Sequence, residues 1–134
     1  MEDDRQARRL LKELLEAEGI AVVGEAGNGF EAVRLARELE PDVVLMDLRL
    51  PGMGGLEASR LIAESLLFSQ VIVLTAYDGP LPTRSAQEAG VYAYLVKGCS
   101  SQLMRDVIEQ AWHFNAGIKT RAQAASSTDA TGPA

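Results

Sequence analysis

Apolar positions along this 134-residue chain follow two alternating rhythms, a helical spacing and short unbroken β-branched runs. Between residues 4 and 18, Ala7, Leu10, Leu11, Leu14 and Leu15 fall on one helical stripe. Gly19 follows where a left-handed helix terminus forms most easily. Residues 20–23 are a short β-branched run that reads as a strand. Asn28 and Glu31 resemble a helix-capping pair ahead of Ala32, Val33, Ala36 and Leu39, and Pro41 ends that second helix. Val43-Val44-Leu45-Met46 is an uninterrupted apolar run that stops at Asp47. A turn-rich Pro51-Gly52-Met53-Gly54-Gly55 loop then leads into a helix carrying Ala58, Leu61 and Ile62. The grammar repeats: Val71-Ile72-Val73-Leu74 stops at Thr75, Pro82 opens a short helix closed by Gly90, and the run 91–96 stops at Lys97. A last helix carries Leu103, Met104, Val107, Ile108, Ala111 and Phe114.

Strands apolar on both faces, alternating with helices, imply a parallel sheet covered on both sides and wound by right-handed crossovers. The expected class is therefore α/β, doubly wound. A chain of this length holds one compact domain, which we place at residues 1–117. Residues 118–134, rich in Ala, Ser and Thr, bury too little apolar surface to order themselves and are expected to be a disordered tail or truncated linker. With 47% hydrophobic residues a real core forms without disulfide or metal staples. The net charge of -6 argues against direct nucleic-acid binding, which relies on Lys and Arg contacts to phosphates. No apolar run approaches a membrane span. The single Cys99 cannot form an internal disulfide, and no charged-then-apolar leader precedes the first helix, so a cytoplasmic location is expected.

In open α/β sheets ligands bind outside the carboxyl ends of the strands, and here those ends carry Asp47, Thr75 and Lys97. Glu2, Asp3 and Asp4 stand just before the first helix, where a preceding strand would deliver its last residues. Carboxylates, a hydroxyl and an ammonium suit phosphoryl transfer to a carboxylate. Mg²⁺ takes hard oxygen ligands and keeps several waters, so Asp3 and Asp47, with Glu2 and a loop carbonyl, could hold it. Lys97 would stabilise charge on the equatorial phosphoryl oxygens as Asp47 attacks in line, and Thr75 would donate a hydrogen bond to them.

Val43-Val44-Leu45-Met46-Asp47-Leu48-Arg49-Leu50-Pro51-Gly52-Met53 resembles the phosphoacceptor segment of response-regulator receiver domains. Val73-Leu74-Thr75-Ala76 and Tyr94-Leu95-Val96-Lys97 are similar to that family's switch-threonine and lysine segments, and Glu2-Asp3 to its acidic metal pair. The resemblance runs from Glu2 to about Gly117. Residues 23–29 and 56–59 are similar to the subfamily with a LuxR-type helix-turn-helix output. It implies a flavodoxin-like receiver fold in which Asp47 accepts a phosphoryl group from a histidine kinase. Glu2, Asp3, Asp47 and the Arg49 backbone carbonyl would bind Mg²⁺, and Lys97 and Thr75 would assist the transfer. The Ala76 backbone would contact the phosphoryl group, and Thr75 and Tyr94 would switch a surface. Such a domain is a self-phosphorylating acceptor with slow autodephosphorylation rather than a conventional enzyme. The alternative is a phosphorylation-independent interaction or dimerisation module with a defective metal site. An aspartyl phosphatase would want a second acid where Arg49 stands.

Taken singly, these residues have plainer readings: Asp47 as a turn residue, Lys97 as a surface charge, Thr75 as a strand-end hydroxyl, Tyr94 as a core residue. Their combination carries the functional reading. His113, the sole histidine, is expected on the wet face of the last helix. The chain departs from the family at its start, because only Met1 precedes Glu2 and the opening apolar strand is expected to be missing from the sequence as given. Several buried residues at roughly 1.5–3 kcal/mol each rival a whole domain's stability of about 5–15 kcal/mol. A late start assignment, a gap filled by a partner chain, and a rearranged sheet are the competing explanations. A homodimer or strand-completing self-association, or low stability, is expected. Gly98 stands where many receivers have proline, and Gly54 where an acid is common. Arg49 and Tyr77 flank the acceptor, and we expect both to hinder the hydrolytic water. Small residues at both positions should then shorten the acyl-phosphate lifetime; an unchanged lifetime would dispose of that role.

Overall fold

Three parallel strands form the middle layer of the computed structural model, which describes residues 5–47, 53–66, 68–75 and 90–131. In chain order the elements are α1 (Arg5–Ala17), α2 (Gly29–Leu39), β1 (Val43–Asp47), α3 (Gly55–Ser65), β2 (Gln70–Thr75), β3 (Ala93–Val96) and α4 (Ser101–Thr131). The sheet runs β1-β2-β3, with Asp47 opposite Leu74 and Thr75 opposite Val96.

Side chains along a strand alternate between faces, and each face has its own cover. Val44, Met46, Val71 and Val73 pack under Ala32, Val33 and Ala36 of α2 and Ala58 and Ile62 of α3. Ile72, Leu74 and Leu95 pack against Leu15 of α1 and Met104, Ile108 and Ala111 of α4. Cover on both faces is why the runs are unbroken rather than alternating. The doubly wound α/β layout is thus present. Local signals act as read: the amides of Gly19 and Ile20 close α1 on the Glu16 and Leu15 carbonyls, with Gly19 at φ 82°. Asn28 caps α2 by accepting from the Glu31 amide at 2.9 Å.

Two expectations are corrected. Residues 20–23 form no strand, although Ile20 and Val22 lie against the α1/α4-side cluster. A β-branched run becomes a strand only through ladder partners, and among the described residues β1 pairs only with β2. α1 is correspondingly under-covered, with Leu10 58% and Leu14 43% exposed. The second correction is at the other end, where α4 continues past Gly117 to Thr131 in place of the expected disordered tail. Ala122, Ala124 and Ala125 favour that continuation. The expected short helix after Pro82 lies outside the described residues.

A polar network holds α4 to the amino end of the sheet. Asp42 Oδ1 accepts from Asn115 Nδ2 at 2.9 Å and from Lys119 Nζ at 2.8 Å, while Gln70 Nε2 donates to Asn115 Oδ1 at 3.2 Å. Asn115 is fully buried, so its amide needs these partners. Asp42→Ala is expected to lower stability by about 1–2 kcal/mol near neutral pH by stranding that amide. The hydrogen bond from Lys119 holds the Asp42 carboxyl below its ordinary value of 3.8; partial burial opposes this, and Asn115 and Trp112 add to it. A carboxyl depressed on folding stabilises the protein above its unfolded pKa, and that stabilisation fades as pH falls through the folded value. Urea melts of wild type and variant should therefore draw closer below about pH 4. A gap that stayed constant into acid would remove the carboxylate's charge from this account.

Candidate functional site

Because the strands are parallel, their carboxyl ends share one rim, and each brings a polar residue there. Asp47 is the last residue of β1, Thr75 the last of β2, and Lys97 the first after β3. The register brings them together, since Asp47 lies opposite Leu74, one step before Thr75, and Thr75 lies opposite Val96, one step before Lys97. The Lys97 amide also donates to the Thr75 carbonyl at 2.8 Å, fixing the third chain to the second.

Asp47 is 3% and Thr75 2% exposed, while the Lys97 side chain is 42% exposed. Lys97 Nζ donates to Asp47 Oδ2 at 2.8 Å. A buried carboxylate is tolerable only when charge-paired and hydrogen-bonded, and this ammonium is one such partner. The lysine spans from solvent to a recessed acid, so a small anion entering from the rim would meet both groups. Gly98, at φ 91°, turns the chain directly after Lys97, and the Cys99 amide donates to the Val96 carbonyl at 3.1 Å. Proline, locked near φ -65°, could not make that turn. The departure from the family at this position therefore has a local cause.

Tyr94 lies opposite Val73 and packs, half-buried, against the α2/α3-side cluster. Its plain reading as part of the core holds. His113 is exposed on α4, edge-on to Trp112 with centroids 5.0 Å apart. Glu2, Asp3, Arg49, Ala76 and Tyr77 lie outside the described residues. Among the described residues no three His, Cys, Asp or Glu side chains gather in one place. Mg²⁺ usually takes only one or two carboxylates and keeps its waters, so Asp47 fits as one of its ligands. The Asp42–Asn115–Lys119 network went unread in the sequence. Its members are 73 and 77 residues apart with no shared motif.

The model of the response regulator receiver domain matches residues 1–109. The response regulator GacA of Pseudomonas aeruginosa is 45% identical over 100 residues, 74% of this chain and 46% of that protein. The chain therefore spans about half the length of the curated relatives it matches. A two-component response regulator of the LuxR family from Aurantimonas sp. SI85-9A1 superposes with a TM-score of 0.77 at 36% identity, covering 84% of this chain and 81% of that one. The receiver domain of a sensor histidine kinase from Pseudomonas aeruginosa PAO1, with a magnesium ion coordinated in its active-site cleft, gives 0.75 at 27% identity, covering 84% and 93%. This chain belongs to the response regulator receiver domain family of two-component systems, and its fold is the flavodoxin-like receiver fold.

Proposed function

We propose that this chain accepts a phosphoryl group on Asp47 from a histidine kinase, in a Mg²⁺-dependent reaction in the cytoplasm, and so switches an interaction surface. The supporting observation is the recessed Asp47 carboxylate held 2.8 Å from Lys97 Nζ at the rim where Thr75 also ends its strand. An Asp47 oxygen attacks phosphorus in line, the bond from phosphorus to the kinase imidazole breaks, and the imidazole leaves with its electron pair. Lys97 then releases its hold on the free carboxylate and follows the charge onto the phosphoryl oxygens. Mg²⁺, held by Glu2, Asp3, Asp47 and the Arg49 carbonyl, would offset the negative charge of donor and acceptor. Thr75 and the Ala76 backbone contact the transferred group. Tyr94 follows Thr75 inward, a two-state change driven by one new charge. Residues 1–117 form the acceptor unit, and α4 beyond Gly117 leads toward whatever output is attached.

Acetyl phosphate with Mg²⁺ tests this without a kinase. Intact mass should rise by one phosphoryl group in the wild type and not in Asp47→Asn, and EDTA should prevent the gain. A chain that never gains the mass, while still melting cooperatively, would be the phosphorylation-independent module instead.

A further inference from the structure

α4 runs unbroken through Gly117 to Thr131, although glycine is, proline apart, the residue least suited to a helix interior. Gly117 is exposed, its backbone is ordinary right-handed helix, and a Cβ built on it would meet nothing within 4 Å. Neither packing nor backbone geometry asks for glycine there, so its effect is to weaken the helix at that point. The same turn has a second soft spot. Thr120 Oγ1 donates to the Ala116 carbonyl at 2.9 Å, a back-bond that tends to bend helices.

The groups that grip the helix lie on either side of this soft spot. Asn115 and Lys119, four residues apart, share one face of α4, and Gly117 between them faces away. Before the glycine, the fully buried Asn115 donates to Asp42 Oδ1 at 2.9 Å and accepts from Gln70 Nε2 at 3.2 Å. After it, Lys119 Nζ donates to the same Asp42 oxygen at 2.8 Å. Asp42 is itself fixed, since it directly precedes β1 and its carbonyl accepts from the Gln70 amide at 2.9 Å. One carboxylate oxygen thus holds successive turns of α4 against the amino ends of β1 and β2. The two grips differ in shelter: Asn115 is shut away from water, while the Lys119 and Asp42 side chains are each 40% exposed. The outer grip can therefore open to water while the inner one stays packed.

We propose that Asp42 and Lys119 form a latch across a hinge at Gly117. Closed, the latch makes residues 118–131 a rigid continuation of the helix that packs on the sheet; open, it lets them bend away while Asn115 stays in place. The latch sits at the amino ends of the strands, opposite the rim that carries Asp47, so it does not rest on the phosphoryl reading.

Amide hydrogen exchange and residual dipolar couplings on the full chain test the latch. In the wild type, couplings of residues 118–131 should fit the alignment of residues 101–116, as one rigid helix. Lys119→Met leaves both Asn115 hydrogen bonds intact. It should speed exchange of the amides of residues 118–121, whose hydrogen bonds enclose Gly117, by about three- to fivefold, the loss of one half-exposed ion pair. Amides of β1 and β2 should change by less than about twofold, because the opening is local. Gly117→Ala should slow the amides of residues 118–121 by about two- to fivefold through alanine's helix preference, and the double variant should return close to wild type. Couplings that average toward zero past Gly117 in the wild type, unchanged exchange in Lys119→Met, or an equal acceleration in β1 and β2 would overturn the proposal. So would a double variant that exchanges as fast as Lys119→Met alone. None of these readouts depends on phosphorylation.

Discussion

Lys97→Met is expected to slow phosphorylation of Asp47 by acetyl phosphate by about 10²–10³-fold, the usual effect of removing one preorganised charge donor from a developing anion. Methionine keeps much of the stem and deletes the ammonium that sits 2.8 Å from Asp47 Oδ2. The stability loss should be about 1–3 kcal/mol, because the buried Asp47 carboxylate loses one partner while the Lys97 side chain is 42% exposed and water can take part of its place. That split separates a role in transfer from a role in holding the fold. Mass time courses and urea melts on the same variant measure both. A rate close to wild type would take Lys97 out of the chemistry, and a large stability loss would recast the pair as structural.

Ile72→Ala should have the largest effect on the fold itself, a loss of about 2–5 kcal/mol. Ile72 is fully buried on the middle strand, packed with Leu74 and Leu95 beneath α1 and α4. Domains of this size hold only about 5–15 kcal/mol, so the variant should melt well below the wild type in urea. Leu10, 58% exposed on α1, is the contrast. Its alanine variant should lie within about 0.5 kcal/mol of wild type, although the helical stripe alone ranks Leu10 beside the core. Similar losses at the two positions would mean that the sheet is not sandwiched as described.

That contrast marks how far the sequence could be read. The rim residues were legible because each ends an apolar run, and parallel strands make such ends coincide whatever lies between them. Caps at Asn28 and Gly19 were legible because they depend on neighbours within one turn. Residues 20–23 misled, since a β-branched run states a preference whose outcome depends on a ladder partner elsewhere in the chain. The end of α4 misled for a related reason. Its composition looked unable to order itself, yet the buried Asn115 and the partly exposed Lys119 tie the helix to Asp42 across more than seventy residues. Glu2 and Asp3 stood out in the sequence as acids just before the first helix, and the resemblance to the family singled them out from Asp4 as the expected metal pair; both lie outside the described residues.

Under the proposed function the phosphoryl acceptor is Asp47 and no other acid. Peptide mapping after acetyl phosphate and Mg²⁺ treatment addresses it, with borohydride reducing the acyl phosphate to an alcohol. Homoserine is expected at position 47 alone, and none in a sample treated without Mg²⁺. Homoserine at any other aspartate, with position 47 unmodified, would contradict it.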